Sequence, residues 1–231
     1  MPETRLPAKP RSPSRKSSRE SSRKGSARGR LLDAARTLIR RKGYSATTVD
    51  ELCAAAGVTK GAFFHHFPSK EALGVAAAEH WSRTTGESFA SAPYHEPADP
   101  LDRILAYIDF RSGLLDGRPE DFSCLAGTML QEVYGSSPAI RAACDASICD
   151  HAATLEDDLE AVIARSGVAG VTAKSLALHT QAVLQGAFVL AKGKEGSPGL
   201  AMGIAKDSAA HLRRYIELLF RPRSESRRND T

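Results

Sequence analysis

Hydroxyl, cationic and imidazole side chains recur at short spacing between positions 47 and 70. Side chains of these types hydrogen-bond phosphate oxygens and base edges in nucleic acids. Small residues lie among them and let a backbone approach a groove floor closely. The residues expected to hold phosphates are Thr47, Thr48, Thr59, His66 and Lys70. The residues expected to approach base edges are Lys60, Gly61, Ala62 and His65.

Two short helices joined by a glycine turn would position these side chains. Thr48 begins an S/T-x-x-E capping box for a helix over Val49–Ala56. Gly57 can adopt the left-handed conformation that ends such a helix. Thr59 then caps a second helix from residue 60 to about residue 66. This geometry predicts a helix-turn-helix whose second helix enters the DNA major groove. An αα-hairpin with polar decoration shares the bare pattern.

The stretch resembles the signature of the TetR-type family of transcriptional repressors. That signature runs from a Gly-Tyr through T-T-V and A-G-V-[ST]-[KR]-G to an aromatic pair, H-F and S-K-E-x-L. Here the corresponding residues are Gly43-Tyr44, Thr47-Thr48-Val49, Ala56-Gly57-Val58-Thr59-Lys60-Gly61, Phe63-Phe64, His66-Phe67 and Ser69-Lys70-Glu71-Ala72-Leu73. One departure is Phe64, where the family usually has a Tyr whose hydroxyl commonly reaches a phosphate.

The resemblance implies an all-α protein with a three-helix DNA-binding domain and a larger helical ligand-binding and dimerisation domain. We place a disordered basic arm at residues 1–26, the helix-turn-helix domain at 27–73, the second domain at 74–220 and a disordered tail at 221–231. Family members dimerise through their last two helices, here within residues 173–220, and read palindromic double-stranded operators. A small-molecule effector in the second domain tilts the fourth helix and releases the DNA.

The pattern of apolar residues and breakers predicts seven helices outside the helix-turn-helix pair. Most of them read as continuous, and residues 138–166 read as one long helix with a possible kink. No strand pattern of useful length appears. The expected ranges are Ala27–Lys42, Lys70 to about Phe89, Asp99–Gly117, Phe122–Tyr134, Pro138–Ser166, Ala173–Lys192 and Leu200–Phe220.

Positive charge is concentrated at the start of the chain. Residues 1–30 carry a net charge of +8 against +5 for the whole chain, so residues 31–231 carry −3. The arm has two open interpretations, a salt-sensitive DNA contact or a solvated tail. No apolar segment follows the basic start, and no apolar run is long enough to span a bilayer. We therefore expect a cytoplasmic protein without a membrane partner, whose cysteines are reduced thiols.

Aromatic and polar residues in the second domain are candidates for an effector pocket. Core packing is the alternative for each apolar member, and a buried amide or imidazole needs a partner that could be another side chain. The residues expected to bind the ligand are Phe110, Leu114, Phe122, Cys124, Met129, Glu132, His179, Gln185 and Phe188. Further candidates are Trp81, Gln131 and Tyr134.

Cys124 supports a second hypothesis, a repressor released when this thiol reacts with electrophiles or oxidants. The residue falls near a predicted helix start, a setting that favours thiolate, although a small buried hydrophobe is the simpler interpretation.

The run from Cys144 to His151 is a weak metal pattern without C-x-x-C or H-x-x-x-H pairs, so we expect no metal and no cofactor. Catalytic motifs are missing from the sequence, which favours a regulator over an enzyme. A non-specific DNA-binding protein is a further alternative.

Overall fold

The computed structural model describes residues 25–194 and 196–221, and the regular secondary structure of these residues is entirely helical. A single 3-10 turn at Pro93–His95 separates the fourth and fifth helices. The helices are α1 Ala27–Lys42, α2 Val49–Ala56, α3 Lys60–His66, α4 Lys70–Ala90, α5 Pro100–Gly113, α6 Pro119–Phe122, α7 Leu125–Val133, α8 Pro138–Ala153, α9 Glu156–Ser166, α10 Ala173–Lys192 and α11 Pro198–Phe220. The predicted all-α class is confirmed.

Local capping fixes the helix-turn-helix pair. The Thr48 hydroxyl accepts a hydrogen bond from the Glu51 amide, and the Glu51 carboxylate accepts one from the Thr48 amide. Gly57 ends α2 with φ +62°, the left-handed conformation that favours glycine. The Thr59 hydroxyl then accepts from the Ala62 amide at 3.1 Å and starts α3. The predicted boundaries of α2 and α3 are therefore confirmed.

Two hydrophobic cores hold the helices together, and the cores do not divide at residue 73. The first core joins α1–α4 to α7 and α8, and its buried members include Phe63 and Met129. The second core joins α5 to α9–α11 around Tyr107 and Ile216. Helix α4 lies against both sets of helices, because Phe89 at its carboxyl end packs on the second core. The domain boundaries given above stay a prediction.

Three predicted helices differ from the structure. The helix expected over Asp99–Gly117 ends at Gly113, and Gly117 turns the chain with φ +79°. Phe122–Tyr134 is divided because Ser123 is extended, so that α6 ends at Phe122 and α7 begins at Leu125. Pro138–Ser166 is two helices, since α8 ends at Ala153 before the cap residue Thr154, whose hydroxyl donates to the His151 carbonyl.

The predicted N-terminal arm and C-terminal tail fall almost wholly outside the described residues. Only Gly25 and Ser26 of the arm and Arg221 of the tail are described. Ser26 caps α1, since its hydroxyl accepts from the Gly29 amide. In the described part of the chain, no helix combines the length and the apolar character needed to cross a membrane.

Candidate functional site

The outer face of α3 is the part of the helix-turn-helix that is available to DNA. Thr59, Lys60, Gly61 and His65 are exposed, while Ala62 and His66 are half-buried. The inner face is anchored by Phe63, which is fully buried in the first core. The structure therefore brings the predicted base-edge residues together on one exposed helix.

Acidic and backbone groups already contact several of the expected DNA-binding residues. The Lys60 ammonium lies 2.8 Å from an Asp50 carboxylate oxygen, and this hydrogen bond raises the pKa of Lys60. The Lys70 ammonium donates to the Ser45 carbonyl at 3.2 Å and lies 4.4 Å from the centroid of the Tyr44 ring. Burial lowers the pKa of Lys70. Binding to DNA would require these cations to exchange partners.

Thr47, which was expected to hold a phosphate, does not present its side chain at the surface. Thr47 is only 1% exposed, and its hydroxyl donates to the Gly43 carbonyl at 2.7 Å. This bond closes the loop between α1 and α2, so the hydroxyl cannot reach a phosphate without breaking the loop. Its neighbour Thr48 is exposed, but its hydroxyl is used in the capping box.

Phe64 places an exposed aromatic ring on the surface of α3. Its side chain is 54% exposed on α3, and its ring packs edge-on against the buried Phe63 at 5.1 Å. Because the ring has no hydroxyl, this position presents an apolar surface where the family usually presents a hydrogen-bond donor.

A cavity of about 240 Å³ lies between the two cores. Its wall comes from α1, α4, α5, α6, α8 and α10 and from the segments that flank α6. The aromatic members of the wall are Trp81, Phe89, Phe122 and Phe188. The remaining members are Arg40, Thr85, Arg111, Leu114, Leu115, Asp121, Cys124, Ser147, Ile148, His151, Gln181 and Gln185. A partly open cavity whose wall combines aromatic rings with polar and charged side chains suits a small organic ligand.

The predicted pocket residues divide into two groups. Those that line this cavity are Leu114, Phe122, Cys124, Gln185, Phe188 and Trp81. Those that do not are Phe110, Met129, Glu132, His179, Gln131 and Tyr134. Met129 is fully buried in the first core, Phe110 packs on Phe89 and Tyr94, and His179 is exposed with its ring 5.3 Å from that of Tyr215. The expectation that these three residues line the pocket is wrong, because neighbouring side chains cover them or solvent surrounds them.

A polar network closes one end of the cavity. The Tyr107 hydroxyl lies 2.9 Å from His151 Nε2 and accepts hydrogen bonds from Gln181 Nε2 at 3.0 Å and Arg111 Nη1 at 3.1 Å. Because the hydroxyl accepts two bonds, its own proton is directed to His151. Burial, reinforced by the Arg111 guanidinium, lowers the pKa of His151 to about 4. His151 is therefore neutral near pH 7. Sequence reasoning missed this network, because its members come from three helices that are far apart in the chain.

A second cavity, of about 340 Å³, adjoins the first on the side of the DNA-binding helices. The two share the wall residues Arg40, Cys124, Gln185 and Phe188. Glu132 and Gln131 also line the second cavity. The Glu132 carboxylate, however, accepts from the backbone amides of Tyr44 at 3.0 Å and Ser45 at 2.8 Å. Glu132 thus ties α7 to the loop before α2, a role that sequence reasoning missed.

The cysteines do not form a cluster. Cys53 and Cys144 are buried, Cys149 is exposed, and Cys124 is half-buried at the start of α7, where its sulphur accepts from the Gly127 amide at 3.4 Å. Within the described residues, no group of three or more His, Cys, Asp or Glu side chains could hold a metal ion. The Cys149 thiol contacts Asp145, whereas His151 points into the polar network.

An apolar face remains exposed on the last two helices. On α10 it comprises Leu178, Val189 and Leu190, and on α11 Leu200, Tyr215 and Leu218. The opposite faces of both helices are buried in the second core through residues such as Leu184 and Ile216. A helix pair that is apolar on two sides needs a second partner.

Comparisons with known proteins agree with this architecture. Residues 31–77 match the family described as bacterial regulatory proteins of the tetR family. Residues 100–207 match the C-terminal domain described as transcriptional regulator LmrA/YxaF-like. The first match covers most of α1, the helix-turn-helix and the start of α4, and the second covers α5 to α10 with part of α11.

Individual relatives cover parts of the chain. The repressor NemR of Escherichia coli K12 is 30% identical over 133 residues, which are 58% of this chain and 67% of NemR. The repressor DhaR of Mycobacterium sp. strain GP1 is 29% identical over 114 residues, 49% of this chain and 56% of DhaR. The chain thus spans little more than half of the length of DhaR.

Solved structures share the fold over most of the chain. The reduced form of E. coli NemR is 26% identical with a TM-score of 0.66, and the match covers 82% of this chain and 96% of NemR. A TetR-family regulator from Agrobacterium tumefaciens is 24% identical with a TM-score of 0.70, covering 85% and 98%. With its helix-turn-helix, its helical second domain and these matches, the chain belongs to the TetR family of helix-turn-helix transcriptional regulators.

Proposed function

We propose that the protein is a dimeric repressor that binds a palindromic operator and leaves it when a small molecule occupies the cavity. The observation that carries the proposal is the exposed outer face of α3, on which Lys60, Gly61 and His65 are all available to a groove. The names of the relatives DhaR and NemR support repression over activation. A cytoplasmic location is part of the proposal, because bacterial operator DNA lies there.

The exposed apolar face of α10 and α11 supports the dimer. Pairing this face with its copy in a second chain would bury Leu190 and Leu218, both of them more than half exposed here. Burial of apolar side chains is the usual driving force of an obligate dimer. Two copies of α3 would then read half-sites separated by about one helical turn of DNA, roughly 34–36 Å, or a multiple of it.

Selection from a random duplex library tests the proposal. The purified chain is incubated with the library at about 150 mM salt, where non-specific binding is weak, and the bound sequences are read. We expect a motif with two-fold symmetry. A variant with His65→Ala and Gly61→Val on the outer face of α3 serves as the control and should lose the enrichment. If the intact chain yields no motif and its binding vanishes as salt rises, sequence-specific regulation is disproved.

Sedimentation tests the dimer separately. The intact chain should sediment as a dimer at micromolar concentration, and Leu190→Glu should sediment as a monomer. Leu114→Glu is a matched control, because Leu114 is also exposed but lies at the cavity, away from the α10–α11 face. A monomeric intact chain would contradict the dimer.

Thiol sensing through Cys124 is a second candidate function. The Cys124 sulphur accepts a backbone amide at the start of α7, and the residue lines both cavities. Two cations, Arg40 and Lys192, line the second cavity together with it. Cations and a helix start are the surroundings that favour the reactive thiolate.

Electrophile release assays separate this candidate from simple ligand binding. If Cys124 is the sensor, N-ethylmaleimide should release operator DNA from the intact chain and from Cys149→Ser, but not from Cys124→Ser. Cys149→Ser is the matched control because Cys149 is the exposed cysteine. Equal release from both variants would exclude Cys124 as the sensor.

A further inference from the structure

The wall of the second cavity carries more positive charge than its own acidic groups can balance. Its charged members are Arg40, Arg41, Lys42, Lys192 and a single carboxylate, Glu132. Lys42 is paired with Glu51 of α2, outside the cavity. The Glu132 oxygens accept the two backbone amides of the α1–α2 loop. Arg41 is exposed to solvent, whereas Arg40 and Lys192 are half-buried. Arg40 and Lys192 are therefore the cations that need a partner inside the cavity.

Arg40 presents most of its hydrogen-bonding capacity to the cavities. Its Nε donates to the Ser123 carbonyl at 2.7 Å, and its guanidinium carbon lies 5.2 Å from the centroid of the Trp81 ring. A guanidinium has five N–H donors, and among the described residues Ser123 is the acceptor that Arg40 uses. In that same part of the chain no carboxylate lies within ion-pair distance of it. Burial, followed by repulsion from Arg36, lowers the pKa of Arg40.

Lys192 reaches the same cavity from α10. Its ammonium donates to the Thr128 hydroxyl at 2.7 Å and has two further protons to donate. Burial, followed by the charge of Arg40, lowers the pKa of Lys192, and the opposing charges of Glu132 and Glu120 do not cancel this effect. Two half-buried like charges without a carboxylate partner are costly in a protein interior.

Ser123 supplies an independent sign of a missing partner. It is 1% exposed and lines the second cavity, and its hydroxyl oxygen is the buried side-chain polar atom left without a hydrogen bond in the described residues. Buried polar groups are nearly always hydrogen-bonded. The hydroxyl belongs to the residue whose carbonyl already binds Arg40, so a ligand acceptor held by Arg40 would lie close to it.

The adjoining first cavity adds an aromatic surface. Phe188 belongs to the wall that the two cavities share, and beyond it lie the rings of Trp81, Phe89 and Phe122, together with polar side chains that include Arg111 and Asp121. A ligand spanning the shared wall would therefore meet cations and hydroxyls at one end and aromatic rings at the other.

We propose that the effector is an amphipathic organic anion whose acidic group is bound by Arg40, Lys192 and the Ser123 hydroxyl. Its apolar body lies in the first cavity against Trp81, Phe122 and Phe188. The acidic group can be a carboxylate, sulfonate or phosphate, since each offers the paired oxygens that a guanidinium binds. Arg40 belongs to α1 and Lys192 to α10, so the bound anion would link the DNA-binding helices directly to the dimerisation helices. This inference rests on the proposed effector function.

A pair of dyes that differ by one charged group tests the inference. Anilinonaphthalene sulfonate is an amphipathic anion, and phenylnaphthylamine is the same aromatic body without the sulfonate. Both fluoresce when they enter an apolar site, and their dissociation constants are measured with the intact chain and without DNA. The test variant is Lys192→Gln, and the matched control is Lys194→Gln, which removes an exposed lysine two residues away.

The expected result is that Lys192→Gln weakens the sulfonate dye by about tenfold, the effect of losing one charge-assisted contact. The same variant should change binding of the neutral dye by less than about twofold, which also shows that it is folded. Lys194→Gln should leave both dyes unchanged. The anion site would be overturned if Lys192→Gln weakened the binding of both dyes equally. It would also be overturned if Lys194→Gln weakened binding of the sulfonate dye as much as Lys192→Gln does.

Arg111 at the far end of the first cavity is the competing cation. It donates to Tyr107 and contacts His151 Nε2 at 3.2 Å, and it has no carboxylate partner among the described residues. If Arg111→Gln weakens the sulfonate dye and Lys192→Gln does not, the assignment to Arg40 and Lys192 is wrong. Because the dyes are titrated without DNA, failure of the operator selection would disprove repression and leave this result standing.

Discussion

The outer face of α3 and the two cavities differ in how far apart their residues are in the sequence. The side chains on the α3 face are close together in the sequence. Hydrogen bonds between residues three apart fix the turns on either side, such as those of Thr48 with Glu51 and Thr59 with Ala62. The cavities assemble Arg40, Arg111 and Phe188 from three separate helices. A surface formed by residues that are close in the sequence can be predicted from that sequence. A cavity is harder to predict, because it depends on packing between distant elements.

The largest expected effect is a substitution on the buried side of α3. Phe63→Ala should lower the free energy of unfolding by about 3–5 kcal/mol, because it leaves a void in a fully buried aromatic site. Phe64→Ala, its exposed neighbour, should change that free energy by less than about 0.5 kcal/mol. Urea unfolding monitored by circular dichroism measures both. Similar losses in the two variants would mean that the two faces of α3 are not distinct.

The second effect concerns acid stability at the cavity. An ordinary histidine has a pKa near 6.5, whereas that of His151 is lowered to about 4. As the pH falls from about 6.5 to 4, the unfolded chain binds a proton that the folded chain excludes, so stability is lost in this window. The loss should be about 2–3 kcal/mol.

Urea unfolding at a series of pH values checks the contribution of His151. His151→Gln should have a shallower pH dependence than the intact chain between pH 6.5 and 4. His211→Gln is the matched control because His211 is exposed on α11. If the two variants have the same pH dependence, His151 is not excluded from protonation by its surroundings.

Sequence reasoning succeeds at the helix caps of the helix-turn-helix. The capping box at Thr48, the left-handed Gly57 and the cap at Thr59 each depend on a contact within a few residues, and all three are present. Thr47 was misjudged because its hydroxyl bonds back to Gly43, a local alternative that removes it from the surface. The same side-chain types can serve a loop or a phosphate, and only the folded loop distinguishes them.

The cavity shows where sequence reasoning fails. Arginine is normally solvated, so Arg40 and Arg111 gave no sign of lining a cavity. His179 shares a helical stripe with apolar residues in the sequence, which suggested that it is buried. In the structure it is exposed and its ring lies beside that of Tyr215, because this face of α10 points outward. The division between α8 and α9 has no proline or glycine at Thr154 and Leu155, so no breaker in the sequence marks it.

A third prediction concerns recognition of DNA by the α3 face. Lys60→Ala should weaken binding to a selected operator by about 1–3 kcal/mol and relax the preference at one base position. Fluorescence anisotropy with the operator and with single-base variants measures both properties. His65→Ala should affect a different position. A uniform loss on every sequence with a smaller salt dependence would assign Lys60 to the phosphate backbone instead.

A fourth prediction joins the two regions. Glu132→Gln leaves one acceptor oxygen for the amides of Tyr44 and Ser45, and it should lower the free energy of unfolding by about 1–2 kcal/mol. The same change should weaken release of DNA by the effector, because α7 loses its hold on the loop before α2. Glu79→Gln, at an exposed position of α4, is the control. Unchanged stability and release would mean that α7 does not carry the coupling.

The smallest expected effect lies at the ion pair between Asp50 and Lys60. Both side chains are mostly exposed, so Asp50→Asn should change the free energy of unfolding by less than about 1 kcal/mol. Operator affinity should rise by less than about fivefold, because Lys60 no longer leaves a carboxylate to reach DNA. When Asp50→Asn is added to the Lys60→Ala variant, the increase in operator affinity should be less than half of the increase that Asp50→Asn causes in the intact chain. Equal gains with and without Lys60 would show that Asp50 acts by repelling phosphates, independently of its lysine partner.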